Sequence, residues 1–126
     1  MKKELTNMIQ SNLFQQGEAA WETTGPGVQR QVLGYDDKLM LVKVKFEKGG
    51  VGEPHSHPHA QASYVESGVF EMTIGDTKKI INKGDGYYVP PYTVHGCVCL
   101  EAGMLVDSFS PARWDFIQTD NEKYAL

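Results

Sequence analysis

The chain has 126 residues, the length of one ordinary domain, and its 40% hydrophobic and 22% charged content is typical of a globular protein. Its net charge of −4 argues against nucleic acid as a partner, because phosphate binding needs clustered Lys and Arg. The sequence has no run of 18 apolar residues and no signal-peptide pattern, so we expect no membrane partner and a cytoplasmic location.

Residues 1–27 are predicted to form an N-terminal arm, which is helical or extended. Apolar residues in its first half recur at spacings of three and four, a weak helical pattern, at Leu5, Met8, Ile9 and Leu13. Gly17 ends this pattern, and residues 21–27 are predicted to be irregular. The arm could equally pack on a partner subunit.

Residues 28–113 have the pattern of an all-β barrel or sandwich, in which short strands are separated by glycine turns every eight to twelve residues. The clearest strand is 39–47, in which apolar and charged residues alternate. The other predicted strands are 29–34, 62–66, 69–74, 77–82, 86–89, 95–100 and 104–110. A turn at 67–68 and a hairpin around 101–103 are predicted between neighbours. Residues 114–126 form a C-terminal tail, so the sequence predicts one domain over 1–126.

Three histidines and a glutamine lie within seven residues of this chain. In an extended chain His55, His57 and Gln61 project to the same face, because residues two and four apart share a side. Neutral imidazole suits borderline divalent metals, and the remaining histidine is His95. The pattern predicts a metal site, against the alternative of a solvated loop. His59 shares the same parity and is left open as a ligand or a supporting group.

The arrangement of these residues resembles the first motif of the cupin family. That motif is a glycine, five residues, His-x-His, three or four residues, a glutamate, six residues and a glycine. The matching residues are Gly49, His55, His57, Gln61 and Gly68, with glutamine in the place of the glutamate. A neutral amide leaves the metal a stronger Lewis acid and disfavours redox chemistry with oxygen.

A second cupin motif is matched by Gly84, Pro90 and His95. Tyr92 and Cys99 stand where the family usually has glycine and asparagine. The resemblance covers roughly residues 29–113 and implies a cupin double-stranded β-helix, or jelly-roll barrel. It also implies one divalent transition metal (Ni, Zn, Fe, Mn or Co) held by His55, His57, Gln61 and His95.

The last predicted strand places Leu105, Asp107 and Phe109 on one face. If that face lines the barrel, Asp107 is a carboxylate in an apolar interior, which is costly unless a partner or ligand uses it. Arg113 follows closely enough to reach the barrel mouth. The alternatives are a structural Asp107–Arg113 ion pair and an aspartate exposed on the opposite face.

Residues 106–116, together with the His-Ser-His-Pro-His segment, are similar to the pectin-degradation subfamily of cupins. Members of that subfamily open the ring of 4,5-unsaturated uronates, the monosaccharides released by pectin and alginate lyases. The resemblance implies catalytic roles for Asp107, Arg113 and Phe109, a sugar-acid substrate and a homodimer. Two alternatives stay open: a metal- or sugar-binding cupin module without turnover, and a metal-dependent dioxygenase of a small organic acid.

Several further residues are candidates for the barrel interior. Gln29, Arg30 and Tyr64 are possible cavity-lining residues with no specific pattern behind them. Cys97 and Cys99 share the parity of His95, so they also point inward if His95 does. We expect both cysteines to be small buried side chains rather than metal ligands, and too close in sequence to form a disulfide with each other.

Overall fold

The computed structural model describes residues 10–117, which form eight strands and one short 3-10 helix. The strands are β1 Glu22–Gly25, β2 Val28–Tyr35, β3 Met40–Phe46, β4 Val51–His55, β5 Ala60–Ile74, β6 Thr77–Asn82, β7 Gly86–Val89 and β8 His95–Ser110, and the 3-10 helix is Trp114–Phe116. The predicted all-β class is confirmed. Within this described part of the chain, no helix is long and apolar enough to cross a membrane.

Two long strands, β5 and β8, belong to both layers of the barrel. In one layer, the first half of β5 pairs with β7, and the second half of β8 pairs with β3, which continues to β2 and β1. In the other layer, the second half of β5 pairs with β6, and the first half of β8 pairs with β4. All these pairs are antiparallel. The arrangement is the predicted jelly-roll barrel.

Both long strands bend where they pass from one layer to the other, at Gly68 in β5 and Gly103 in β8. The predicted turn at 67–68 and hairpin around 101–103 are therefore wrong. Each strand continues through its bend because it stays paired with the other, with Ser67 opposite Met104. Glycine permits this close approach, since a Cβ on Gly68 would lie 2.6 Å from Glu101 O.

The bend in β5 also changes which residues face the interior. Register shifts occur between Val65 and Phe70, and such bulges insert a residue that reverses the alternation. Gln61, Ser63 and Val65 are buried before the bend, and Phe70 and Met72 after it. The barrel thereby keeps polar side chains at one end of its interior and apolar ones at the other.

The C-terminal residues close over one end of the barrel. Met40, Val42 and Phe109 form a buried cluster, against which Trp114 and Phe116 of the 3-10 helix pack. The ring centroids of Phe109 and Phe116 are 5.7 Å apart. The first residues of the predicted tail thus belong to the packed structure, while residues 118–126 lie outside the described part.

Over its described residues the N-terminal arm is not helical, which leaves the extended one of the two predicted alternatives. Residues 10–20 are irregular, so the helix is wrong there, and its residues 1–9 lie outside the described range. Ser11 is tied to β2 by hydrogen bonds to and from the backbone of Tyr35, which holds the chain extended. Residues 22–25, predicted to be irregular, instead form β1, where Glu22 lies opposite Arg30 and pairs with it at 2.7 Å.

We predict that Gly68→Ala destabilises the protein far more than Gly84→Ala. Both glycines have positive φ (+86° and +96°), so each substitution costs about 1–2 kcal/mol of backbone strain. Only at Gly68 does the new Cβ also overlap the backbone of β8, which adds roughly 1–3 kcal/mol. Urea unfolding of both variants measures the difference. Equal losses would show that the close contact between the two bends contributes nothing.

Candidate metal centre

Three segments of the chain supply the candidate metal ligands. β4 ends at His55, the following loop carries His57 and leads into Gln61 of β5, and β8 begins at His95. His55 and His95 are cross-strand partners. The loop between β4 and β5 is joined to the loop between β7 and β8 by a hydrogen bond of 2.7 Å from Tyr92 N to His57 O. The predicted ligands are thus brought together by strand pairing and by one loop contact.

The backbone conformation of Tyr92 shows why the cupin motif usually has glycine at this position. It has a φ of +65°, a conformation that glycine adopts without strain and a tyrosine rarely does. The usual glycine at this position is therefore a backbone requirement, which this chain meets with a strained residue. The side chain itself points outward and is 73% exposed.

The candidate ligand atoms converge on one point. Those of His55, His57 and His95 all lie within 4.8 Å of one another. Gln61 Oε1 is 3.1 Å from Nε2 of His57 and 3.1 Å from Nε2 of His95. His57, Gln61 and His95 are buried and His55 is exposed, so the cluster has one side open to solvent.

Backbone carbonyls fix the orientation of all three imidazole rings. Each Nδ1 lies within hydrogen-bond distance of a carbonyl two residues away: 2.8 Å from His55 to Glu53 O, 3.0 Å from His57 to His59 O and 2.9 Å from His95 to Thr93 O. Because a carbonyl only accepts, Nδ1 must carry the proton. In the neutral ring Nε2 then presents a lone pair, which is the arrangement of metal-binding histidines.

The environment keeps the two buried rings neutral. Burial lowers the pKa of His95 to about 4, and burial together with the charge of Arg113 lowers the pKa of His57. Two neutral Nε2 atoms and Gln61 Oε1 then face each other with lone pairs only. They cannot donate to one another, and a cation between them resolves the mismatch. The donor set fits a borderline divalent metal such as Ni, Zn, Fe, Mn or Co.

A chain of hydrogen bonds connects Gln61 to Asp107. Gln61 Nε2 donates to Ser63 Oγ at 3.1 Å, and Ser63 Oγ donates to Asp107 Oδ1 at 2.7 Å. Ser63 and Asp107 are direct cross-strand neighbours in β5 and β8. Our sequence reasoning missed Ser63, although its parity with Gln61 was a possible pointer. The result is a continuous polar path between the metal centre and a buried carboxylate.

Asp107 faces the interior together with Leu105 and Phe109. The strand face that the sequence pattern singled out therefore lines the barrel. Burial raises the pKa of Asp107 to about 6, although the hydrogen bond from Ser63 and the charge of Arg113 oppose that rise. The alternative of an exposed aspartate is therefore wrong. An aspartic acid with a pKa this high can hold or release a proton near neutral pH.

Tyr87 is a second residue that sequence reasoning missed. It lies opposite Ser63 in β7, and its hydroxyl lies near both Ser63 and Asp107. Burial, followed by the negative charge of Asp107, raises the pKa of Tyr87 well above its usual value of 10. The phenol is therefore protonated at neutral pH and can serve as a hydrogen-bond donor to the carboxylate.

Arg113 pairs with Asp115 rather than with Asp107. Its Nε and Nη2 lie 3.0 and 2.8 Å from the two carboxylate oxygens of Asp115, so the alternative of an Asp107–Arg113 ion pair is wrong. The guanidinium lies over the rings of Phe109 at 5.1 Å and Phe116 at 4.3 Å. Pairing and stacking together hold this positive charge in a fixed orientation.

A cavity of about 510 Å³ unites these groups, within the roughly 300–1,000 Å³ of small-molecule sites. Its walls include six of the seven predicted site residues: His55, Gln61, His95, Asp107, Phe109 and Arg113. Arg30 and Tyr87 line it as well. Of the weaker candidates, Tyr64 is 49% exposed and does not line it. The geometry can hold a cation at one wall and an anionic molecule against the others.

The two cysteines are buried and free, as predicted. Cys97 lines the cavity, and burial raises its pKa to about 12. Cys99 Sγ donates to Glu101 O at 3.1 Å, and burial raises the pKa of Cys99 as well. Neither thiol is prepared for reaction as a thiolate.

Comparison with known proteins defines the family. A model of the cupin domain matches residues 42–106, which is more than half of the chain. With the jelly-roll fold and the histidine cluster already described, this match shows that the chain belongs to the cupin family.

Within that family, the chain is closely related to proteins called KdgF. It is 43% identical over 106 residues to the pectin degradation protein KdgF of Dickeya dadantii (strain 3937), covering 82% of this chain and 96% of that protein. The structure of KdgF from Halomonas sp. superposes with a TM-score of 0.78 at 39% identity, covering 84% and 98%. The crystal structure of an RmlC-like cupin from Shewanella frigidimarina NCIMB 400 superposes with a TM-score of 0.83 at 44% identity. The match covers 85% of this chain and 97% of that chain.

We predict that His57→Ala abolishes stoichiometric binding of a divalent metal, whereas His59→Ala retains it. His57 contributes a converging Nε2 atom. The ring of His59 packs edge-on against that of His57 but lies outside the ligand cluster, and the backbone carbonyl that accepts from His57 Nδ1 is kept in the alanine variant. Elemental analysis after dialysis against Zn²⁺ or Ni²⁺ measures the bound metal. Equal metal content in both variants would contradict the assigned ligand set.

We also predict that neither cysteine of the native protein reacts with Ellman's reagent at about pH 8, where an ordinary thiol reacts readily. The reason is their burial and the raised pKa of both thiols. In denaturant both should react. Rapid labelling of the folded protein would show that the cavity around Cys97 opens to solvent far more than its structure indicates.

Proposed function

We propose that this protein is a metal-dependent isomerase that opens the ring of 4,5-unsaturated uronate monosaccharides and yields linear keto sugars. The observation that carries the proposal is the buried Asp107 placed in the same cavity as a neutral metal donor set. The relationship to the pectin degradation protein KdgF of Dickeya dadantii supports the choice of a uronate.

The proposed reaction is a net proton transfer within the substrate. The ring form is a hemiacetal whose ring oxygen is attached to the alkene carbon C5. Opening removes the proton of the C1 hydroxyl, breaks the bond from C1 to the ring oxygen and leaves a carbonyl at C1. A proton then adds to C4 as C5 becomes a ketone. Atoms balance without any oxidant or second substrate, so one acid–base group suffices.

Asp107 is the group we assign to this proton transfer. As carboxylate it accepts the proton from the hydroxyl, and as carboxylic acid it delivers a proton to C4. A pKa of about 6 makes both forms accessible near neutral pH, as general acid–base catalysis requires. The short hydrogen bond from Ser63 to Oδ1 holds the carboxyl group in one orientation while it does so.

Arg113 is assigned to the carboxylate of the substrate. The ion pair with Asp115 uses Nε and one hydrogen of Nη2, so the edge formed by Nη1 and the second hydrogen of Nη2 is left for an incoming anion. Such an edge can pair with a carboxylate through two parallel hydrogen bonds. Phe109 lies beside the guanidinium and the histidines, where its ring forms an apolar wall against the sugar.

A divalent ion held by His55, His57, His95 and Gln61 would supply Lewis-acid polarisation of a substrate oxygen. None of these four ligands carries a negative charge, so none of them would offset the charge of the ion. That balance suits an anionic substrate and, through Gln61, argues against a dioxygenase. The homodimer and the cytoplasmic location stay predictions.

We predict that Asp107→Asn lowers ring opening by about 10²–10⁴-fold, the usual contribution of a general acid–base group, while the bound metal is retained. Asparagine keeps an oxygen that can accept from Ser63 but cannot exchange the proton. Loss of absorbance of the carbon–carbon double bond of a purified 4,5-unsaturated uronate measures the rate. Asp37→Asn, at an exposed carboxylate, is the matched control and should match the unmodified protein.

The same assay separates the alternatives. If the unmodified protein with metal bound does not accelerate the slow spontaneous ring opening, the proposal fails. Tight binding of the sugar without any change in it would then favour a binding module. Oxygen consumption by the iron-loaded protein with a small organic acid would favour a dioxygenase.

A further inference from the structure

We infer that Ser63 is a positioning residue that orients the amide of Gln61, so that oxygen rather than nitrogen faces the metal. The inference rests on the metal centre of the proposed function but not on the identity of the substrate. The hydroxyl of Ser63 bonds to Gln61 and Asp107, and in this assignment it does not take part in the proton transfer.

The need for such a residue comes from the amide group. Its oxygen and nitrogen have nearly the same shape, but only the oxygen has a lone pair for a cation, and the nitrogen carries two hydrogens. Glutamate, usual at this cupin position, presents oxygens at both ends and needs no such selection. A glutamine ligand therefore depends on a neighbour that distinguishes its two ends.

Without that neighbour, the reversed amide would be favoured in the metal-free protein. Gln61 lies 3.1 Å from Nε2 of both His57 and His95, and those Nε2 atoms carry lone pairs. A reversed amide would donate its hydrogens to them and occupy the position of the cation. Metal binding would then have to break these hydrogen bonds first.

Ser63 opposes this reversal because its own hydroxyl hydrogen is already committed. Ser63 Oγ donates to Asp107 Oδ1 at 2.7 Å, which places the hydroxyl hydrogen on that side. The oxygen of Ser63 then faces Gln61 with its lone pairs and accepts the amide hydrogen at 3.1 Å. A reversed amide would set two lone pairs against each other in a buried site.

The backbone fixes all three members of this chain. Ser63 is two residues after Gln61 on the same face of β5, and it lies directly opposite Asp107 in β8. All three side chains are buried, with 4–9% of their surface exposed, so water does not readily replace a missing partner. The donors run from Gln61 through Ser63 to Asp107, away from the metal, and the lone pairs are left facing it.

The test is the affinity of the full-length protein for Zn²⁺, measured by competition with a chromophoric chelator in the absence of substrate. Ser63→Ala should weaken Zn²⁺ binding by about 10–100-fold, as is typical for loss of a group that orients a ligand. The matched control is Ser108→Ala, which removes a hydroxyl that donates to Ala62 O at 2.8 Å on the outer face of the same strand pair. It should leave the affinity unchanged.

A second background separates orientation from packing. In Gln61→Glu both ends of the ligand are oxygens, so adding Ser63→Ala should change Zn²⁺ affinity by no more than about twofold. Equal losses in the two backgrounds would overturn the inference, because Ser63 would then act through packing. Unchanged affinity of Ser63→Ala alone would overturn it as well.

Thermal unfolding of the metal-free variants verifies that they are folded. If Ser63→Ala does not fold, Ser63→Cys replaces it, since a thiol keeps the volume but is a weak hydrogen-bonding group, and the same loss of affinity is expected. Failure of the ring-opening assay leaves this measurement unaffected. If the unmodified protein binds no Zn²⁺, the metal centre fails, and this inference fails with it.

Discussion

The pairing of β5 with β8 is the constraint on which the site depends. Along this one ladder Gln61 lies opposite Phe109, Ser63 opposite Asp107 and Ile74 opposite His95. A shift of one residue would turn the interior side chains of either strand to solvent, because neighbouring residues point to opposite faces. Gln61, His95, the buried carboxylate and the aromatic wall are therefore positioned by this one pairing of strands.

Protons and charges follow an ordered arrangement around the centre. The hydrogens of the groups nearest to the converging ligand atoms point outward to Glu53, His59, Thr93 and Ser63. The ionisable Asp107 lies one hydrogen bond further out, and the Arg113–Asp115 pair stands at the cavity wall. Acid–base chemistry and metal binding are thus assigned to different residues that touch through Ser63.

Local patterns in the sequence named most of the side chains that the structure brings together. Parity and motif spacing selected His55, His57, Gln61 and His95, and alternation put Asp107 on one face with Leu105 and Phe109. The role of Gly68 was harder to predict, because the sequence around a glycine in a strand bend resembles the sequence around a glycine in a hairpin turn. The contact that decides between them, the approach of β8, lies more than 30 residues away in the chain.

Residues that act through cross-strand neighbours were the ones missed. Nothing next to Ser63 or Tyr87 in the sequence indicates Asp107, and their proximity exists only once β7, β5 and β8 are in register. The alternative of an Asp107–Arg113 ion pair failed for a similar reason. Asp107 and Asp115 are both within reach in sequence, and only the 3-10 helix at Trp114–Phe116 decides for Asp115.

The separation of Gln61 and His95 by 34 residues has a consequence for folding. A cation that holds both side chains closes a loop of that length, which spans β6 and β7, and so acts as a cross-link as well as a chemical group. Because the four ligands meet only in the assembled barrel, the ion binds the native state in preference to the unfolded ensemble. Its binding free energy is therefore added to the stability of the barrel as free metal rises, and loss of the ion and loss of the fold become linked events.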